Sequence, residues 1–297
     1  MRILSTAKSI SLSLLTAVIA AGLPGCSKAE APPPAVTTAP PVVFDPVAVV
    51  SKLLTTMGSK DPAALAAIDP NHFVQHDLSI GDGLAGLKVY LDALPANSLK
   101  ITPVRLFRDG ELVVAHSLDQ GTTPEVRFDV FRFEKEKIVE HWDNVQVLIP
   151  GPNPGGHTMT DGPTAVTDDA ATEANKAMAK QFVTDVLIGE KLDGYDAFFD
   201  GGKYIQHDPG VPDGAAFIKT YIQNQIAANK PIGYDAVRRV VGQGNFVLVI
   251  SSGSPQGRAT AFYDLFRLEK GKLAEHWAVT EPIPPREDWK NGSSGKF

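Results

Sequence analysis

The chain repeats itself, and that limits its fold more than any other feature. Phe73-Val74-Gln75-His76-Asp77 returns as Tyr204-Ile205-Gln206-His207-Asp208, and Asp82-Gly83 returns as Asp213-Gly214. Asp129-Val130-Phe131-Arg132 returns as Asp264-Leu265-Phe266-Arg267, and Glu140-His141-Trp142 as Glu275-His276-Trp277. The offset drifts from 131 to 135, so four residues entered the second copy between the motifs. Ordered matches at near-constant spacing mark a tandem duplication. Two copies are too few for a solenoid, and each is long enough to own a core. The fold must therefore be one that a domain-sized segment can make twice.

Punctuation divides the rest. Arg2 and Lys8 precede an apolar run from Ile10 to Leu23, too short to span a bilayer with ease, which reads as a signal peptide over residues 1–25. The run closes on Leu23-Pro24-Gly25-Cys26, which resembles a bacterial lipobox with Pro24 as an unusual occupant, and Cys26 is the only cysteine. The expectation is an exported cell-envelope lipoprotein, lipidated on Cys26 and touching the membrane only through that anchor. The alternative is a secreted periplasmic protein cleaved after Ala29-Glu30-Ala31. Residues 26–45 form a Pro/Ala-rich tether. Residues 46–150 are domain 1, 151–172 a breaker-rich linker, 173–285 domain 2 and 286–297 a C-terminal tail. Loss of the leader removes two cations and no acid, taking the net charge from −6 to −8. With no Lys/Arg cluster, a nucleic-acid partner is not expected.

Each copy runs helices first and strands after. Asp45-Pro46 opens a helix over Val47–Thr56, and helical spacing covers Thr172–Ile188. Short helices are expected at Pro62–Ile68 and Leu192–Phe199, followed by a short strand ending at His76 or His207. Third helices are expected at Leu84–Leu94 and Ala215–Ala228. Period-two patterning then marks strands Ile101–Phe107, Glu111–Ser117, Val126–Phe133 and Ile138–Leu148. Asp109-Gly110 and Lys270-Gly271 signal tight hairpins. The class is α+β, each copy three helices packed on a curved antiparallel sheet.

The ordered motif "Gln-His-Asp, Asp-Gly, Asp-x-Phe-Arg, Glu-His-Trp" resembles SnoaL-like proteins of the nuclear-transport-factor-2-like superfamily, and in particular predicted bacterial aldol-condensation enzymes. The resemblance covers Val47–Ile149 and Asn175–Pro284. It implies two tandem cystatin-like cones, which can pack on each other like a homodimer of the superfamily. It also implies an aspartate base on the last strand, matched by Asp143, with a supporting polar group on the preceding strand, matched by Asp129. The family's cyclases carry His at that second place. His76 matches a pocket-facing polar residue of the first strand. A fold of this kind hosts many chemistries, so the likeness speaks for the fold more than for an activity.

Proton abstraction beside a carbonyl needs a base and a donor for the enolate oxygen. Asp143, Asp129, His76 and His116 are the candidate catalytic set. Gln75, His141, Phe131 and Trp142, with His207, Asp264 and His276 in copy two, are candidate ligand-binding residues. Copy two has Ala278 for Asp143 and Ile250 for His116, so the expected chemistry lies in copy one. The ligand would be small and apolar or carbonyl-containing, with no cofactor. The His and Asp residues lack tight metal spacing, so no metal is expected. The competing function class is a non-catalytic ligand-binding or interaction module. Competing structural readings are a core Trp142, a Gln-His-Asp that only ends a strand, Asp82 and Asp213 as helix-start residues, exposed His72 and His157, and an Asp129 neutralised by Arg127 or Arg132. A two-residue turn at Lys135-Glu136 would pair Asp129 with Trp142. Bringing both aspartates to one face requires a bulge or a longer turn near Glu134–Lys137.

Overall fold

The computed structural model describes residues 43–95 and 98–297. Cys26, the leader and the tether as far as residue 42 lie outside them. Among the described residues no helix is long and apolar enough to cross a membrane.

In copy one, Asp45 caps α1 (Pro46–Thr56), its carboxylate accepting from the amides of Val47 and Ala48 at 2.9 and 3.3 Å. Pro46 takes the first helical position, where a missing N–H costs nothing. The expected second helix is only a 3₁₀ turn, Pro62–Leu65. Then come β1 (Val74–Gln75), α2 (Gly83–Ala93), β2 (Ile101–Asp109), β3 (Leu112–Asp119), β4 (Glu125–Glu134) and β5 (Lys137–Val147). Copy two follows with α3 (Thr172–Phe182), which runs into a π turn at Val183–Ile188, and a 3₁₀ turn at Tyr195–Phe198. It continues with β6 (Ile205–Gln206), α4 (Ala215–Ala227), β7 (Tyr234–Gln243), β8 (Phe246–Gly253), β9 (Thr260–Glu269) and β10 (Lys272–Pro282).

The sheets have orders β1-β5-β4-β3-β2 and β6-β10-β9-β8-β7. Four strands in each are antiparallel, and the two-residue strand joins the last one in parallel. The register question has a definite answer. Lys135 and Glu136 form a tight turn with positive φ, which leads β4 back into β5. The register then shifts, so Phe133 faces Ile138 and Arg132 faces Glu140, with Val139 the extra residue. That bulge puts Asp129 opposite Asp143 and Val130 opposite Trp142. Copy two repeats the device, with Ala274 extra between Leu273 and Glu275.

Each helix layer covers the inner face of its own sheet, giving one apolar core per copy. The outer faces meet in a third core, where Phe128, Val130 and Trp142 pack with Leu248, Tyr263 and Trp277. Arg239 stacks over Trp142 at 3.9 Å and Arg105 over Trp277 at 4.0 Å, a reciprocal pair of cation–π contacts.

The segment after each copy's last strand crosses to the other copy. Asn153 of the linker donates to the carbonyls of Gln206, Asp208 and Val211. Asn291 of the tail donates to the carbonyls of Gln75 and Asp77. His207 Nδ1 meets the Thr158 carbonyl and His76 Nδ1 the Gly295 carbonyl, both at 2.8 Å. The linker and tail are thus matching straps, and each covers the free side of a two-residue strand that has only one sheet neighbour.

Candidate functional site

The repeated motif builds two hydrogen-bonded chains per copy, one on each sheet face. On the inner face, His141 bridges Gln75 Oε1 (2.9 Å) and Asp129 Oδ1 (3.0 Å). His276 bridges Gln206 Oε1 and Asp264 Oδ1 at 2.9 and 3.1 Å. On the outer face, Glu140 accepts from Arg132 Nε and meets His76 Nε2, and Glu275 accepts from Arg267 Nε and meets His207 Nε2. His76 stacks on Trp142 and His207 on Trp277, with ring centroids 4.8 and 4.4 Å apart.

Side-chain alternation divides the candidates accordingly. Gln75, Asp129, Phe131 and His141 line the inner hollow of copy one, and Gln206, Asp264 and His276 that of copy two. His76, Trp142 and His207 instead face outward, because each lies one residue along its strand from a pocket-lining neighbour. His116 also lies outside the pocket. It is paired with Phe128, stacks on that ring at 4.4 Å and sits in the core between the copies. There it accepts from Arg105, and burial, followed by the Arg105 charge, holds its pKa well below the usual value.

Copy one's hollow is filled by an ion cluster. Arg127 gives Asp129 a forked contact, with Nη2 2.7 Å from Oδ1 and Nε 2.9 Å from Oδ2, and reaches Asp143 at 3.4 Å. This is the structural ion pair weighed for Asp129. Lys296 of the tail lies 3.7 Å from Asp143 and 2.7 Å from Glu281. Burial alone would raise Asp129, but Arg127 and the His141 hydrogen bond outweigh it and bring the pKa to about 2. Asp77 is pushed up to about 6 by burial and then by the Asp143 charge, although Ser79 donates to it twice. The remaining cavity is about 30 Å³, room for about one water.

Copy two's hollow holds about 460 Å³. Phe262 replaces Arg127 and Ala278 replaces Asp143, so among the described residues no Lys or Arg pairs with Asp264, which meets His276. The Tyr234 hydroxyl donates to Asp264 instead, at 3.2 and 3.3 Å. Burial would lower His276, but its bond to Asp264 and the charges of Asp208 and Asp264 raise it. Both of its nitrogens face oxygen acceptors, which suits an imidazolium. Tyr204 and Tyr234 are held well above their usual pKa by burial and by neighbouring acids.

Asp208 is the residue that the sequence reading passed over. It is the last member of the repeated Gln-His-Asp and it lines this cavity. Gly210 stands where Ser79 serves Asp77, so that hydroxyl is missing, and burial raises the Asp208 pKa. The change from Ser79 to Gly210 was visible in the sequence, but only the inner-face geometry gives it meaning. Phe217 and Tyr221 of α4, both partly exposed, sit on the cavity wall.

No family model matches the sequence, and no curated protein matches it. Solved structures do. One is a nuclear-transport-factor-2-like protein from Burkholderia xenovorans LB400, 21% identical over 37% of this chain and 91% of that one, with a TM-score of 0.30. Another is a protein with a ketosteroid isomerase-like fold from Catenulispora acidiphila DSM 44928, solved with trimethylamine, 18% identical over 32% and 82%, with a TM-score of 0.28. A third is IdmH from Streptomyces antibioticus, described as a candidate polyketide cyclase, 15% identical over 36% and 91%, with a TM-score of 0.29. The helix-first order, the parallel first strand and the motif placed upon them give each copy of this chain a nuclear-transport-factor-2-like fold.

Proposed function

We propose that the copy two cavity is a proton-transfer site for a small, largely apolar carbonyl compound, with Asp208 as the general base. The observation that supports this reading is a pKa-raised carboxylate on the wall of an aromatic cavity of about 460 Å³. A carboxylate raised by desolvation is a stronger base than one in water. Asp208 takes the proton from carbon beside the carbonyl; the C–H electron pair becomes the C=C bond of the enolate and the carbonyl π pair moves onto the oxygen. The Tyr204 hydroxyl, kept protonated by its raised pKa, donates to that oxygen. Asp208 then returns the proton to another carbon, which isomerises the compound, or the enolate carbon bonds to a second carbonyl carbon in the same molecule, whose C=O electron pair moves onto its oxygen and takes the proton from Asp208, closing a ring. No cofactor enters either course. The base first expected at Asp143 moves with this reading to the other copy and the other end of the motif.

The test is deuterium uptake from D₂O by a panel of small cyclic and aromatic ketones, followed by mass spectrometry. Asp208→Asn should abolish uptake that the wild type supports, while Asp143→Asn leaves it intact. Uptake that survives Asp208→Asn refutes the assignment. The competing reading, a binding module, is favoured if planar phenols bind this cavity and no ketone exchanges.

A further inference from the structure

We infer that His157, Asp161 and His207 form a binding site for a divalent transition-metal ion of the zinc class, where the linker strap closes on copy two. The three residues each bring one donor atom to within 4.8 Å of the others. The site lies on the outer face, separate from the inner cavity, and does not depend on the proposed chemistry.

His207 is the anchor. It is buried and held flat against Trp277. Its Nε2 lies 2.8 Å from Glu275 Oε1, and Glu275 is itself held by Arg267. A carboxylate behind one ring nitrogen aims the other at a metal and strengthens it as a ligand. That other nitrogen, Nδ1, lies 2.8 Å from both Asp161 Oδ1 and the Thr158 carbonyl. All three polar neighbours of this buried ring are therefore acceptors. A cation bound at Nδ1 would join this ring to Asp161 in place of a direct contact.

Asp161 is fixed through its backbone, whose carbonyl accepts from Trp277 Nε1 and from Arg105. His157 is oriented from behind by Asp213, 3.3 Å away. Two imidazoles and a carboxylate suit zinc and its neighbours better than calcium or magnesium, which take oxygen ligands. Two ligands on one zinc stand at most about 4.2 Å apart, twice the bond length. The His207–Asp161 pair, 2.8 Å apart, must open slightly and His157 draw in, which asks only for small rotations of His157 and Asp161, both partly exposed. Copy one provides the contrast. At its matching strap, His76 Nδ1 meets the Gly295 carbonyl, and the residues around it, Ser293, Ser294 and Lys296, supply neither imidazole nor carboxylate.

The experiment uses the full-length protein without a histidine tag. Zn²⁺ is titrated by calorimetry, and Co²⁺ is added to read coordination from its visible absorption. The expected result is one saturable equivalent of Zn²⁺, a Co²⁺ spectrum with nitrogen ligands, and a higher melting temperature with metal. His157→Ala and Asp161→Asn should each weaken binding by at least about tenfold. Both side chains are partly exposed, so the variants should still fold, with circular dichroism as the check. His72→Ala, an exposed histidine beside Asp69, should bind as the wild type does. The absence of a saturable equivalent, or affinity unchanged in both site variants, overturns the proposal. So does loss of binding in His72→Ala.

Discussion

Copy one and copy two share their motifs and differ in what fills the space behind them. Both keep Gln–His–Asp inside the cone and His–Glu–Arg outside it, because these chains tie the two-residue strand to the long ones. Around that frame the copies diverge. Copy one fills its interior with Arg127, Asp143 and Lys296, which neutralise one another and leave only about 30 Å³ empty. Copy two replaces the first two with Phe262 and Ala278 and opens about 460 Å³ around a carboxylate whose pKa burial raises. In this duplicated chain, what recurs marks the fold, and the positions that do not recur mark where a ligand can fit.

The largest effect should come from copy two. Asp208→Asn is nearly isosteric, and loss of a general base lowers rate by roughly 10²–10⁴. The ketone exchange assay measures this, and Asp143→Asn serves as the opposite arm, with the wild-type rate expected.

Next in size is the copy one cluster. Arg127→Leu leaves Asp129 with His141 and Asp143 with only Lys296. Breaking a buried pair from one side costs about 3–5 kcal/mol, so the melting temperature should fall by roughly 6 °C or more. The double change Arg127→Phe with Asp143→Ala installs the copy two residues. It should recover most of the loss and enlarge the copy one cavity, as read from thermal melts and a crystal structure. A double variant as unstable as the single one would break the comparison.

Much of this architecture was legible in the sequence, for identifiable reasons. The repeat gave the two copies, and period-two patterning gave the long strands to within a few residues. The second helix was overcalled, because Pro62–Ile68 and Leu192–Phe199 carry apolar residues yet close only one 3₁₀ turn each. The aspartate pairing could not be read, because it depends on Val139 bulging out of β5. The face of His116 depends on a different long-range register, that of β3 on β4, which sets it opposite Phe128. Asp82 does stand at the start of α2, as its N-cap residue, but its carboxylate caps no helix amide and instead accepts from Gly292 and Ser293 of the tail. The tail's reach back to copy one has no local signal. Only the shared asparagine of the two straps, Asn153 and Asn291, hints at it.

Those straps give a smaller and symmetrical expectation. Asn153→Ala and Asn291→Ala each strip buried carbonyls of a donor, at about 1–3 kcal/mol. Chemical denaturation should show comparable losses. A large loss from one and none from the other would end the equivalence.

The smallest effect is a dependence on pH. Asp208 has a raised pKa in the folded state, so its contribution to stability is full below the unfolded carboxylate value. It is lost as pH rises through the folded value. Asp208→Asn should therefore melt a few degrees above wild type at pH 8 and level with it near pH 4. Asp129 runs the other way. Its folded pKa of about 2 lies below the unfolded 3.8, so its stabilisation is full above about pH 4 and fades as pH falls toward 2.

The central claim is that the working cavity is in copy two, and the most direct measurement is where a planar enolate mimic binds. A crystal structure of the protein soaked with 2-naphthol is predicted to show one molecule in the copy two cavity. Its oxygen should lie within hydrogen-bond distance of Asp208 or Tyr204, with copy one empty. Naphthol bound beside Asp129 and Asp143 in copy one, with the copy two cavity vacant, would contradict the account.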